Sequence, residues 1–484
     1  MKNFYITTTL PYVNSEPHVG FAMEIIRADV IARNKKLNGY NVFFNTGTDE
    51  HGAKIHRNAV SQGIDPQKYV DDLSVKFKDL VPLLGISPDV KFIRTTDSHH
   101  VTAAQEFWKL CDKNGFIYKK NYKIKYCVGC ELEKTESELV DGKCPIHPLM
   151  IIDEIEEENY FFKFSEFQKP LLELYSNNPT LVVPSFRFNE IKAFVERGLQ
   201  DFSISRLKSK MPWGIEVPNN PDHVMYVWFD ALVNYISTLG WPEDKENFNK
   251  FWTNADNVVQ YCGKDNLRQQ SAMWQAMLMA AGLKNTRQIV IDGFLTGDGG
   301  IKMSKSLGNV INPVDVVKEY GTDALRYYLL REASPFEDSP FTLEKFKEAY
   351  NSGLANGLGN LVSRVMKMAT SNNIIFNSTI IKPNLEDDKH EVKNDEYIKE
   401  FNLKAAMDNI WSIISYADMT IQKNEPFKMI KTNREQAVID IQALLYDLFV
   451  ISKLLSPFLP RTAEIIKDCV LNNKMPDQPL FLRK

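Results

Sequence analysis

Within its first fifty residues the chain runs strand, helix, strand, and that order limits the possible fold more than any other feature. Residues 3–10 are rich in β-branched and aromatic side chains and stop at Pro11, the pattern of a buried strand. A loop with prolines at 11 and 17 follows. From about His18, Val19, Ala22, Ile25, Ile26 and Val30 recur at helical spacing, and Gly39 suits the cap that ends a helix. A second strand begins at Val42. Strand, helix, strand predicts a βαβ unit and a parallel sheet. The α/β pattern resumes at 225–232, 258–265 and 288–294, so chain on both sides of an insertion should complete the sheet. The expected divisions are 1–116 and 222–294 for the two halves of an α/β domain and 117–221 for the insertion. A loop region at 295–345 and a helical domain at 346–484 follow. Within the last, helices are expected near 346–371, 396–423, 432–456 and 458–471, with a loop at 373–395.

Composition narrows the class. With 484 residues, 44% hydrophobic and 25% charged, the chain is neither disordered nor a disulfide miniprotein. No run approaches the roughly 20 apolar residues of a membrane span, and the start has no leader pattern, so no membrane is expected and the cytoplasm is the expected location. The net charge of -4 gives no bulk signal for nucleic acid, and the helical C-terminal part balances 18 Lys and Arg against 17 Asp and Glu. Any nucleic-acid site must be a local patch.

Three constellations carry chemistry. Cys127-x2-Cys130-x13-Cys144-x2-His147 offers four N/S ligands in two close pairs, the spacing of a tetrahedral zinc site. All four positions are filled by protein, so the predicted Zn2+ is structural. Second, His18 and Gly20 fall where the first strand gives way to a helix, and a helix N-terminus suits phosphate. Third, the loop Thr296-Gly297-Asp298-Gly299-Gly300 precedes Lys302-Met303-Ser304-Lys305-Ser306. Lysines three apart can both reach one polyphosphate where a leaving group gathers charge.

Taken together, an HxG turn after the first strand and an unbroken KMSKS loop some 280 residues later resemble the class I aminoacyl-tRNA synthetases. Along essentially the whole chain the resemblance is to the methionyl-tRNA synthetase family, in its form with a single zinc knuckle. It rests on LPYVN at 10–14, FFNTGTDEHG at 43–52, YCVGC at 126–130, YVWFDALVNY at 226–235, GKD at 263–265, GTDALRYYLL at 321–330 and NGLGNLVSR at 356–364. It implies a Rossmann-type parallel-sheet catalytic domain with an inserted zinc-knuckle domain, then an all-α helical-bundle anticodon-binding domain. It also implies a methionine–tRNA ligase, which activates methionine with ATP and Mg2+ and charges tRNA(Met), both elongator and initiator.

The resemblance also assigns residues. His18, Lys302 and Lys305 stabilise charge in catalysis. ATP is held by Asn14, His18, Gly20, Phe21, Gly263, Asp265, Lys302, Ser304 and Lys305. Methionine is held by Asp49 at its ammonium and by Leu10, Tyr12, Trp228, Ala231, Tyr235 and Gln270 around its side chain, an aromatic setting that suits a polarizable sulfur. On the helical domain, Asn360 and Arg364 meet the anticodon, with Asn356 on the same expected face, and Phe427 offers a ring for stacking.

Three features depart from the family. Phe21 stands where a second histidine of the HxGH turn is usual, which removes a polar donor. Gln270 replaces a histidine and Asn266 an apolar residue, so a more polar pocket wall is expected. The chain ends soon after its last helix, without the extra domain by which some relatives dimerise, which favours a monomer. The missing histidine is also the best support for the alternative reading, a non-catalytic tRNA-binding paralogue. A small-nucleotide adenylyltransferase would have no use for the helical C-terminal third.

Overall fold

The opening elements form in the expected order. β1 covers Asn3–Thr8, α1 Val19–Leu37 and β2 Asn41–Thr48. The computed structural model describes residues 2–130, 132–134, 136–301, 303, 310–377 and 386–484. The chain divides into two units, one of residues 1–17, 38–80 and 88–291, the other of residues 18–37, 81–87 and 292–484.

The first unit is built on a six-stranded sheet. β2 runs parallel to β1, with Phe4 opposite Val42 and Ile6 opposite Phe44. β3 (Lys91–Arg94) extends the sheet beyond β2, and Asn257–Gly263 lies parallel on the other side of β1. Gln288–Asp292 follows, and the far edge is Val182–Val183, a parallel strand of two residues. So short a strand has no readable periodicity, which is why the sequence did not predict it. β1 is buried along nearly its whole length, as expected of a strand in a parallel sheet covered on both faces.

The segment 225–232 does not continue this sheet as expected. Asn220–Met225 pairs antiparallel with Ser205–Leu207 and Glu216–Val217 in a separate three-stranded sheet. The chain then turns into a short helix, Val227–Ala231. Continuous burial of both forms hid the change, because a short apolar run reads alike as strand or helix.

Between 117 and 203 a four-stranded antiparallel sheet forms around two long strands, Ile117–Cys127 and Ile152–Phe162, paired from Ile117 opposite Phe162 to Cys127 opposite Ile152. The acidic run at 153–158 is the partner of a basic one, with Lys119 2.9 Å from Glu158 and Lys123 3.9 Å from Glu154. Helices Gln168–Asn177 and Ser185–Glu196 send Leu171, Tyr175, Ile191 and Val195 into the same core as Phe107, Trp252 and Trp274. Phe107 and Trp274 stack at 5.5 Å.

The second unit is held by α1 and by helices after 312. Asp29, fully buried on α1, accepts from the Ser87 N–H (2.8 Å), the Ser87 hydroxyl (2.7 Å), Arg33 (2.7 Å) and Arg326 (2.9 Å). Arg326 also donates to the carbonyls of Leu84, Pro457 and Phe458. Two buried charges are tolerable here because nearly every lone pair and proton is used. Leu343–Ala349 continues through a π-helical stretch, Tyr350–Gly359, into Asn360–Ser371. Leu403–Asn424, Arg434–Leu455 and Pro460–Leu471 pack with it, and Val365, Ile410, Ile414, Leu448, Ile451 and Ile466 are buried. Glu386–Lys399 is helical where a loop was expected. Its charged sequence has no apolar stripe to betray a helix. It buries Ile398 and adds a polar contact, His390 Nδ1 lying 2.7 Å from Asn409 Oδ1.

Candidate active site and metal centre

The chain leaving β1 turns beside the chain leaving β2. The Asp49 N–H donates to the Pro11 carbonyl and the Val13 N–H to the Asp49 carbonyl, both at 3.0 Å, so Tyr12 and Asp49 face each other across an isolated parallel bridge. Asp49 is 6% exposed. Tyr12 and the half-buried Trp228 pack with Tyr126, Tyr226, Val227 and Val128. A carboxylate beside this aromatic group offers a place for an ammonium with an apolar tail. Leu10 and Ala231 are buried at the start of the loop from β1 and on the Trp228 helix. Tyr235, on the next short helix, accepts from the Nε2 of fully buried Gln270. The amide of half-buried Asn266 donates to Asp265 Oδ1 at 3.2 Å.

Polar groups that the sequence did not single out hold these loops. Glu50, next to Asp49, takes a bidentate pair from Arg94 (2.7 and 2.8 Å) and hydroxyls from Thr48 and Thr96. His51 Nδ1 lies 2.8 Å from one oxygen of Asp230, and His100 Nε2 lies 3.2 Å from the other. Asp230 therefore ties the Asp49 segment to the helix of Trp228 and Ala231. Burial pushes its carboxyl up, but the two imidazoles outweigh burial and hold it below the usual range. The Arg206 guanidinium sits 5.2 Å from the Tyr126 ring and 4.8 Å from the Tyr226 ring, clasping the aromatic group from behind. Charged residues inside apolar runs, such as Asp230 in VWFDAL, were the available signal.

His18 precedes α1, and its Nδ1 accepts from the Gly20 N–H at 3.0 Å. In the neutral ring that places the proton on Nε2, the donor edge. A Cβ on Gly20 would lie 2.8 Å from His18 Cε1, so glycine is needed for the ring to fold back. Phe21 is buried, 8% exposed. Asn14 is half-buried, and its carbonyl accepts from Asn58 and Tyr69. Gly263 ends its strand and Asp265 is exposed in the following turn, at the carboxyl edge of the sheet. Lys302, Ser304, Lys305 and Ser306 lie outside the described residues. The turn before them closes with the Gly297 N–H donating to the Ile301 carbonyl at 2.7 Å.

Cys127, Cys130, Cys144 and His147 bring their ligand atoms within 4.8 Å of one another, a cluster that can hold a metal ion. Cys130 Sγ lies 3.5 Å from Cys144 Sγ and 3.2 Å from His147 Nδ1. Burial and the neighbouring thiol push Cys130 up to about 12. For Cys144, backbone N–H groups of His147 and Ile146 outweigh burial and favour the thiolate a cation needs. Gly129 has its own reason: a Cβ there would lie 2.5 Å from His147 Cγ, so the turn between the first two cysteines closes on the imidazole only without a side chain.

The anticodon candidates fall on the helical domain. Asn360 is exposed on Asn360–Ser371, and Asn356 is exposed on the π-helical stretch before it. Their four-residue spacing thus crosses a change of helical pitch, not one α-helical face. Arg364 is half-buried and paired with Asp418 at 2.9 Å. Phe427 is 46% exposed, on the short helix Pro426–Met429.

Comparison with known proteins agrees with this picture. The family model of "tRNA synthetases class I (M)" matches residues 4–151 and 147–366. A Methionine--tRNA ligase of Clostridium acetobutylicum is 41% identical over 96% of this chain and 73% of its own length. One from Rickettsia felis is 39% identical over 98% of this chain and 93% of its own. The solved Mycobacterium tuberculosis methionyl-tRNA synthetase in complex with methionyl-adenylate superposes with a TM-score of 0.90 at 35% identity, covering 99% of this chain and 95% of that one. With identity of this order over nearly its whole length, the chain belongs to the methionine branch of the class I tRNA synthetases.

Proposed function

We infer that this chain activates methionine with ATP and transfers it to the 3′ adenosine of tRNA(Met), elongator and initiator alike. The observation that carries the reading is the bridge that sets buried Asp49 against Tyr12, beside the Trp228 cluster. Asp49 pairs with the ammonium in a charge-assisted contact, and Leu10, Tyr12, Trp228, Ala231, Tyr235 and Gln270 enclose the thioether.

The methionine carboxylate attacks the α-phosphorus, pyrophosphate leaves, and the adenosine hydroxyl then attacks the acyl carbon of the adenylate to release AMP. Neither step needs a protein nucleophile, so the residues work by position and charge. The Nε2–H of His18 is the donor for charge developing on phosphate, and Lys302 and Lys305 take the charge of the leaving pyrophosphate. Asn14, Gly20, Phe21 and Ser304 line the nucleotide, and Gly263 and Asp265 serve its ribose. Bound Mg2+ would neutralise phosphate charge. Bound Zn2+ would fasten Cys127, Cys130, Cys144 and His147, and its role is structural because protein fills four ligand positions. Phe21 takes no polar part, since its ring is buried. Asn360, Arg364 and Phe427 read the anticodon.

Among the described residues no helix is long and apolar enough to cross a membrane. Thiol ligands fit the reducing cytoplasm. Pyrophosphate–ATP exchange across the twenty amino acids tests the reading: exchange with methionine alone is expected, and exchange with none, in folded zinc-replete protein, would leave a tRNA-binding paralogue.

A further inference from the structure

Behind the pocket wall four buried polar side chains form a hydrogen-bond chain whose direction is fixed at its far end. The backbone N–H of Thr286 can only donate, and it donates to Gln275 Oε1 at 3.1 Å. Asn285 Nδ2 donates to the same oxygen at 3.2 Å. Gln275 Nε2 must then point the other way, where it meets the Gln270 carbonyl at 2.9 Å and Thr286 Oγ1 at 3.1 Å. Having accepted from Gln275, the Thr286 hydroxyl gives its own proton to Gln260 Oε1. Gln260 Nε2 is thereby turned to Gln270 Oε1, 3.0 Å away. Gln270 has one orientation left, with Nε2 donating to the Tyr235 hydroxyl.

Gln260, Gln270, Gln275 and Thr286 are each at most 2% exposed. At that burial bulk water does not reach these amides, and a flip at any link would set two acceptors or two donors face to face. An unanchored amide would present its oxygen or its nitrogen to Tyr235 at similar cost. Here the choice is made by a backbone N–H three side chains away. Because Tyr235 accepts from Gln270, its own proton is directed to an acceptor other than Gln270. A thioether sulfur is such an acceptor, though a weak one, and a methylene in its place is not.

We propose that Thr286, Gln275 and Gln260 are positioning residues that lock the Gln270 amide and so set the preference of the pocket for a thioether over its methylene isostere. The proposal rests on the reading of this pocket as the methionine site. None of these residues is among those proposed for ATP, so loss of the relay should change selectivity without a matching change toward ATP.

The test compares methionine with norleucine in pyrophosphate exchange. Thr286→Val keeps the shape and the backbone N–H but removes the hydroxyl link. It is expected to lower the ratio of kcat/KM for methionine over norleucine about fivefold, the worth of one neutral hydrogen bond, with KM for ATP within about twofold of the parent. Thr286→Ser restores the hydroxyl and should restore the ratio. Gln260→Met, which removes the amide from the next link in a side chain of similar length, should lower the ratio in the same way and serves if the valine variant does not fold. If the parent protein exchanges with methionine but the folded variants keep its ratio, or lose both activities in proportion, the relay only supports the fold and the proposal falls. If the parent itself does not exchange with methionine, the reading of the pocket is what fails.

Discussion

The candidate methionine site and the candidate anticodon face solve recognition in opposite ways. Around the pocket the polar groups are buried and mostly spoken for: Glu50 by Arg94 and two threonines, Asp230 by two imidazoles, Gln270 by Gln260 and Tyr235. On the helical domain Asn356 and Asn360 are exposed, Phe427 is nearly half exposed, and Arg364 has one carboxylate partner. A small ligand offers few contacts, so its site must be organised before it arrives. A single-stranded loop brings many contacts and rigid bases to stack, so exposed amides and a ring suffice. Buried polar order therefore marks selectivity for a small molecule, and exposed donors mark a macromolecular surface. Substitutions on each side should differ in size and in what they change.

The largest effect is expected in the pocket. Asp49→Asn keeps the shape of the loop but removes the charge opposed to an ammonium. Truncating one partner of a buried charge pair costs several kcal/mol. The value of kcat/KM for methionine in pyrophosphate exchange should fall about 10²–10³-fold, chiefly through methionine and not ATP. A fall below tenfold would mean that Asp49 is not the ammonium partner.

A smaller, differently placed effect is expected on the helical domain. Arg364→Ala should raise KM for tRNA(Met) about tenfold, within the range for one specific side-chain contact to a base. Part of that contact is already offset by Asp418, which Arg364 must share or leave. The ratio of aminoacylation to exchange should fall accordingly. A variant that loses exchange and aminoacylation in equal measure would break the contrast between the two regions.

The sequence revealed these regions unequally. The Cys127–His147 cluster was plain because its chemistry is written in local spacing, and the structure gathers the four ligand atoms. Asp49, Tyr12 and Trp228 came from family resemblance, since periodicity alone made Trp228 a core residue of a strand. The supporting layer was invisible for a physical reason: His51 and His100 reach Asp230 from 179 and 130 residues away, and Gln260 reaches Thr286 across 26. No pattern along the chain announces such pairs. The helix Glu386–Lys399 escaped for the opposite reason, having local polarity but no apolar stripe, and the π-helical stretch 350–359 shares the residues of an ordinary helix.

A third effect, read in stability and the sharpest test of the buried layer, lies at Asp230. Its carboxyl is held below the ordinary value of about 3.9 by His51 and His100. A carboxyl with a depressed folded pKa contributes stability that is whole above its unfolded pKa and is lost as pH falls through the lower folded value. Asp230→Asn keeps the side chain's size and one acceptor while removing the charge. At pH 7 it should lower stability by about 2 kcal/mol, the order of a hydrogen bond to a charged group, read as a lower thermal midpoint. Below about pH 4 the parent begins to protonate and surrender the same contribution, so the two midpoints should converge. Because Asp230 joins the Asp49 segment to the Trp228 helix, KM for methionine should rise with the loss at pH 7. A constant gap in midpoint from pH 7 to pH 3 would show that the charge of Asp230 does not hold the loops together, and the pocket would then owe its order to packing around Trp228 and Tyr226.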